Sequence, residues 1–117
     1  MDADAFLALA LGLPETTLCS HMRNPDIRVR GKIFAGPVGA RGFAVIKLMP
    51  EQQEMMCAAE PDVFAPEDGY WGRVGWTRLT VAAVDEAAAL AALWTSWRNV
   101  APKTLAKAHE PKPEGIL

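Results

Sequence analysis

Two stretches of the chain repeat apolar residues every three or four positions, and the segments between them switch to strict alternation. Phe6, Leu9, Ala10 and Leu13 share one face of a helix predicted over Asp4 to Leu13. Asp2 or Asp4 can cap it, and Pro14 stops it. The clearest helix follows Asp85, a good cap, with Leu90, Leu93, Trp94, Trp97 and Val100 along one stripe and Ala101-Pro102 as its end. A shorter helix is predicted from Pro50 to about Ala59. Pro suits a first turn, Glu51 and Glu54 suit the positive end of the helix dipole, and Met55, Met56 and Ala59 are the residues placed to face the core.

Alternation marks the strands. Ile27 and Val29 alternate with Arg28 and Arg30, Gly31 supplies a turn, and Lys32 to Ala35 continues with Ile33 and Ala35 inward. Gly36, Pro37, Gly39 and Gly42 mark a longer turn before Phe43 to Leu48, where Phe43, Val45 and Lys47 oppose Ala44, Ile46 and Leu48. Asp62 to Phe64 reads as a short strand. Arg73 to Val84 reads as the longest, with Thr77, Leu79 and Val81 against Trp76, Arg78 and Thr80. Glu15 to Pro25 is polar and mixed and reads mostly as loop, as does Ala65 to Gly72.

The order α-β-β-β-α-β-β-α predicts a two-layer α+β fold, an antiparallel sheet of about five strands with helices on one face. The charged strand positions fit an open, solvated second face. The chain has 117 residues, half of them hydrophobic, enough for one core. A single domain is predicted over residues 1–103, with a tail over 104–117 that has room for a helical turn around Leu105.

The apolar run from Ala5 to Leu13 is shorter than the roughly 20 residues a bilayer crossing needs, and Asp2 and Asp4 stand where a secretory signal carries basic residues. A cytoplasmic protein without a membrane partner is expected. Cys19 and Cys57 form no CxxC pair and read as two half-buried thiols.

The net charge of −2 opposes a strongly basic nucleic-acid binder, but its distribution is uneven. Six basic residues and only Asp26 lie between His21 and Lys47, whereas six acids and no base lie between Leu48 and Asp68.

Four short motifs come in order: Arg28-Val29-Arg30-Gly31-Lys32-Ile33-Phe34-Ala35; Lys47-Leu48 with Pro50-Glu51; Gly72 with Gly75-Trp76 and Leu79; and Val84-Asp85 with Leu90, Leu93, Trp97 and Ala101-Pro102-Lys103. Together the series resembles the MmcQ/YjbR family of small bacterial proteins, from about Met1 to Lys103. The resemblance implies an α-β-β-β-α-β-β-α fold and a predicted DNA-binding role through a double-wing arrangement of β-hairpins. Met49 departs from the capping residue expected before Pro50, the Gly36 to Gly42 stretch is rich in Gly, and the tail extends past the family core.

Arg28, Arg30 and Lys32 are the first candidate site. Around one tight turn they can meet successive phosphates, with Arg78 extending the patch and Trp76 or Tyr70 offering a stacking surface. The competing reading is a charge-blunted strand face. The second candidate is the aromatic region Tyr70, Trp71 and Trp76 beside a Gly-rich loop, suited to a small molecule or a protein partner, or else closing one end of the core. Trp94 and Trp97 read as core.

Glu51, Glu54, Asp62, Glu67 and Asp68 match no known cation loop, and no metal is expected. Gly36, Gly39 and Gly42 precede a strand, which fails the dinucleotide pattern, so no cofactor is expected. His21 and His109 lack placeable partners, and no catalytic residue is assigned. The sequence therefore predicts a non-enzymatic binding domain, for DNA through the basic hairpin or for a protein or small molecule through Tyr70 to Trp76.

Overall fold

A computed structural model describes residues 1–21, 24–39 and 41–109. The elements run α1 (Ala3–Leu11), β1 (Thr16–His21), β2 (Asn24–Val29), β3 (Lys32–Gly36), β4 (Phe43–Lys47), α2 (Pro50–Ala59), β5 (Phe64–Pro66), α3 (Gly69–Arg73), β6 (Trp76–Thr80), a 3₁₀ turn (Val81–Ala83), α4 (Glu86–Val100) and α5 (Lys103–Ala108). The fold is α+β, as expected, with six strands in place of about five. All neighbours are antiparallel, in the order β1-β2-β3-β4-β6-β5.

Local chemistry sets the helix ends. Asp2 accepts the Ala5 N–H at 2.8 Å and caps α1, and Asp85 accepts the Ala88 N–H at 2.7 Å and caps α4. At the start of α2, where Met49 has no capping oxygen, Gln52 Oε1 accepts the Met49 N–H at 2.8 Å. Asn99 Nδ2 donates to the same oxygen at 2.7 Å and to the Lys47 carbonyl at 3.1 Å, which ties α2, α4 and the end of β4 together.

The core lies between the sheet and α1 and α4. Phe6, Ile27, Phe34, Ile46, Leu79, Leu93 and Trp97 are fully buried there. The alternation of β4 is observed as predicted: Ala44 and Ile46 are buried, while Phe43, Val45 and Lys47 take the other face. One polar link crosses the apolar layer. The Lys47 N–H donates to Ser96 Oγ at 2.8 Å, and that hydroxyl donates to the Phe34 carbonyl at 2.5 Å. A buried serine thus satisfies backbone groups of β4 and β3 where the two strands pair through only Ala35–Ile46 and Gly36–Val45.

Several expectations are corrected. The segment read mostly as loop contains β1, whose only large apolar residue is Leu18. β1 is an edge strand held by its ladder to β2, so it shows no apolar alternation. Ile33 does not point inward. A bulge between the Ile27–Ala35 and Arg28–Ile33 pairs leaves Phe34 as the extra residue, so Phe34 and Ala35 are buried and Ile33 is 38% exposed. The strand read over Arg73 to Val84 is cut to Trp76–Thr80 by α3 and the 3₁₀ turn. The short strand falls at Phe64–Pro66, two residues later than read. Met55 and Ala59 are exposed, and only Met56 of the three leans on the core. Beyond α4, helix α5 buries Leu105.

Candidate functional site

Among the described residues the face of the sheet opposite α1 and α4 is uncovered, and strand alternation decides what lies on it. Register places Asp26 and Arg28 of β2, Ile33 of β3, Phe43, Val45 and Lys47 of β4, and Trp76 and Arg78 of β6 on this side. Val45 stands between Gly36 and Arg78. A Cβ at Gly36 would lie 2.8 Å from Val45 Cγ2, so the absent side chain leaves Val45 as the floor.

A cleft of about 370 Å³ opens here, floored by Ile33, Gly36 and Val45 and walled by Trp71 and Trp76. Pro25 and Asp26 border it on the β2 side, and Glu67 on the other. A second hollow of about 250 Å³, lined by Gly39, Arg41, Phe43 and Arg78, shares Val45 and Glu67 with it, so the two adjoin.

The Trp71 wall depends on a tight corner. α3 begins three residues after Pro66 and carries Trp71, 60% exposed, in edge contact with Tyr70 at 5.6 Å between ring centroids. A Cβ at Gly72 would fall 1.7 Å from the Glu67 carbonyl oxygen, and one at Gly75, where φ is +111°, would fall 1.8 Å from that of Leu48. Only glycine allows both approaches. Gln53 of α2 holds the corner from below, its Nε2 lying 3.0 Å from the Gly72 carbonyl, 3.1 Å from that of Trp76 and 3.0 Å from Thr77 Oγ1. These contacts account for the glycines in the third sequence motif.

The basic candidates are placed differently from the sequence expectation. Arg30 and Gly31 form the turn between β2 and β3, with φ of +49° and +82°. Lys32 pairs with Val29 and Arg28 with Ile33, so Lys32 and Arg28 belong to opposite faces. Arg78 lies three strands from Arg28, about 14 Å at ordinary strand spacing. The three arginines also already hold carboxylates. Arg28 donates through Nε and Nη2 to Asp26 at 2.7 and 3.1 Å, and Arg30 donates to both oxygens of Glu15 at 2.5 and 3.0 Å. Arg78 donates to Glu67 at 2.7 Å and to Asp68 at 2.6 Å. Lys32 is exposed and has no ion-pair partner among the described residues. The continuous basic patch expected from sequence is therefore divided and largely neutralised.

The acids respond accordingly. The Arg30 fork holds the Glu15 carboxyl below its ordinary range. Burial pushes Glu67 up, but the Asp68 backbone N–H and the Arg78 guanidinium outweigh it and leave the carboxyl low. Lys47 shows the opposite balance. Its ammonium donates to the Val74 carbonyl and lies 5.9 Å from the Trp76 ring centroid, and burial pushes its pKa down. Burial raises the Cys57 thiol, and Cys57 and Cys19 are both free and half-buried.

Among the described residues no group of three or more His, Cys, Asp or Glu side chains could hold a metal ion, and no helix is long and apolar enough to cross a membrane. Trp97 is fully buried, its Nε1 donating to the Pro14 carbonyl at 3.0 Å, while Trp94 is half-buried under the Arg98 guanidinium. His109 stands 5.8 Å from the Trp97 ring, and the His21 side chain and residues 110–117 lie outside the described residues.

The architecture is that of a small α+β domain with one covered and one open sheet face. The sequence pattern of the YjbR family matches residues 11–99, and the chain belongs to that family. Among solved structures it is similar to the crystal structure of the Deinococcus radiodurans protein DR2400, which has the domain DUF419. The TM-score is 0.69 over 96% of this chain and 91% of that one, at 16% identity, a likeness of fold. The chain matches none of the curated proteins.

Proposed function

We propose that this YjbR-family domain is a binding module that takes the flat, largely apolar group of a small ligand into the cleft between Trp71 and Trp76. The observation that carries the reading is the cleft itself: an apolar floor, two indoles and about 370 Å³, within the usual size range of small-molecule sites. Trp71 lies largely open to solvent although it is large and apolar, a cost that a bound partner would offset. The Asp26–Arg28 pair at one border and the Arg78 guanidinium shared by Glu67 and Asp68 at the other supply polar groups that can orient a ligand.

DNA binding through Arg28, Arg30, Lys32 and Arg78 is the competing reading, supported by the exposed Lys32, which has no ion-pair partner among the described residues, and by the half-exposed Arg30 at the turn. A phosphate would have to displace a carboxylate already hydrogen-bonded to each arginine, which reduces the gain from each contact.

Ligand-observed NMR with neutral bicyclic aromatic compounds, beside fluorescence anisotropy of a labelled mixed-sequence duplex, separates the two. The cleft reading expects saturable aromatic binding that is insensitive to salt and weakened about tenfold or more by Trp71→Ala. Duplex binding that falls steeply with salt, and is lost in a folded Arg28→Glu, Arg30→Glu, Lys32→Glu variant, would transfer the function to the hairpin.

A further inference from the structure

The sheet ends differently on its two sides. β5 is three residues long and ends at Pro66, which has no N–H to offer a further strand. β1 is six residues long, about 20 Å, and Thr16 to Ser20 contains no Lys, Arg, Asp, Glu or Pro. Its register with β2 is unbroken, so no bulge turns it aside. Among the described residues no backbone group pairs with its outer side. Leu18, 46% exposed, lies on this strand, and Leu11 is also exposed where its carbonyl accepts the Thr16 hydroxyl at 3.1 Å. The devices that keep an edge from pairing are thus present at β5 and, among the described residues, absent at β1.

We propose that β1 is the pairing edge of a two-fold homodimer, in which Thr16–His21 of one copy lies antiparallel to the same strand of a second. An antiparallel strand edge is its own complement under a two-fold axis, because each copy offers the same alternating N–H and C=O groups. The register centred on Leu18 sets the two Leu18 residues opposite one another, with Thr17 across from Cys19 and Thr16 across from Ser20. No like charges meet along that stretch, and the two leucines cover each other. Because opposed residues share a face, the helices of both copies stay on one side of a continuous sheet and both clefts open on the other. The contact is small, so dissociation at concentrations on the order of tens of micromolar is expected.

Sedimentation equilibrium of the full chain from about 1 to 300 µM spans that range. The expected result is a monomer–dimer equilibrium that Leu18→Lys shifts to monomer throughout and that Met55→Lys, on the exposed face of α2, leaves unchanged. Circular dichroism checks that Leu18→Lys folds, and Thr17→Lys replaces it if it does not. Mild oxidation of Leu18→Cys in a Cys19→Ser, Cys57→Ser background should then link two chains. A monomer at every concentration, a dimer that persists with lysine in β1, or no disulfide-linked dimer would each overturn the proposal.

Discussion

The β2–β3 hairpin and the α3 corner are both small projections from the same sheet, and they show opposite relations between sequence and surface. The hairpin looks chemically active in sequence because Arg28, Arg30 and Lys32 follow one another so closely. In the fold, Arg28 and Lys32 part to opposite faces, while Asp26 and Glu15 take up the two arginines. The corner looks like a loop in sequence, yet two glycines and Gln53 set Trp71 and Trp76 as walls of a cleft. Close spacing of charges along a strand does not make a patch. Close approach of backbone at Gly72 and Gly75 does shape a cleft.

The largest effect is expected at the corner. Gly75→Ala forces a left-handed φ and a Cβ onto the Leu48 carbonyl, so a loss of about 3 kcal/mol or more is expected in urea unfolding, with the cleft distorted. A midpoint near wild type would mean that the corner is not under steric constraint. Ser96→Ala tests the support beneath both regions. It strips partners from the Lys47 N–H and the Phe34 carbonyl and should cost about 2 kcal/mol, also read from the urea midpoint.

Acid sharpens the contrast. Glu15 and Glu67 have depressed pKa values in the folded chain, so their contribution is complete above the ordinary glutamate value, about 4.3, and is lost as pH falls through the folded value. Thermal midpoints measured from pH 6 to pH 3 should therefore fall, and fall less steeply in Glu15→Gln, Glu67→Gln. Equal slopes would remove these ion pairs from the acid response. The smallest effect belongs to the hairpin. Arg30→Ala breaks an exposed, solvent-screened pair and should lower the unfolding midpoint only slightly, by less than any change above, whereas a loss as large as that of Ser96→Ala would give the turn a structural role.

Where the sequence reading held, local rules and tertiary structure agreed. The Asp85 cap and the Ala101-Pro102 stop are satisfied by neighbours a few residues away, and the alternation of β4 is a period carried by consecutive residues, so they are legible without the fold. β1 was not, because an edge strand needs no apolar face and takes its shape from Asn24–Val29 across the ladder. Ile33 was misplaced for a related reason. A bulge is a property of two strands, and one extra residue, Phe34, reverses the inward and outward sense of everything before it. Of the aromatic candidates, Trp71 and Trp76 line the cleft and could be named from composition beside the glycines, Tyr70 packs edge-on against Trp71 outside the lining, and Ile33, Val45 and Glu67, which complete the cleft, carry no signal of their own.

By itself, then, the amino-acid pattern determined the α+β class, the order of most elements and the stripe of α4, since these depend on period, caps and breakers within a turn or a strand. Only the tertiary structure decided which charges are free and which aromatics enclose space. Both are set by residues far apart in the chain: Arg30 meets Glu15 across a hairpin, Arg78 meets Glu67 across the corner, and Val45 meets Trp71 and Trp76 only once β4 lies beside β6.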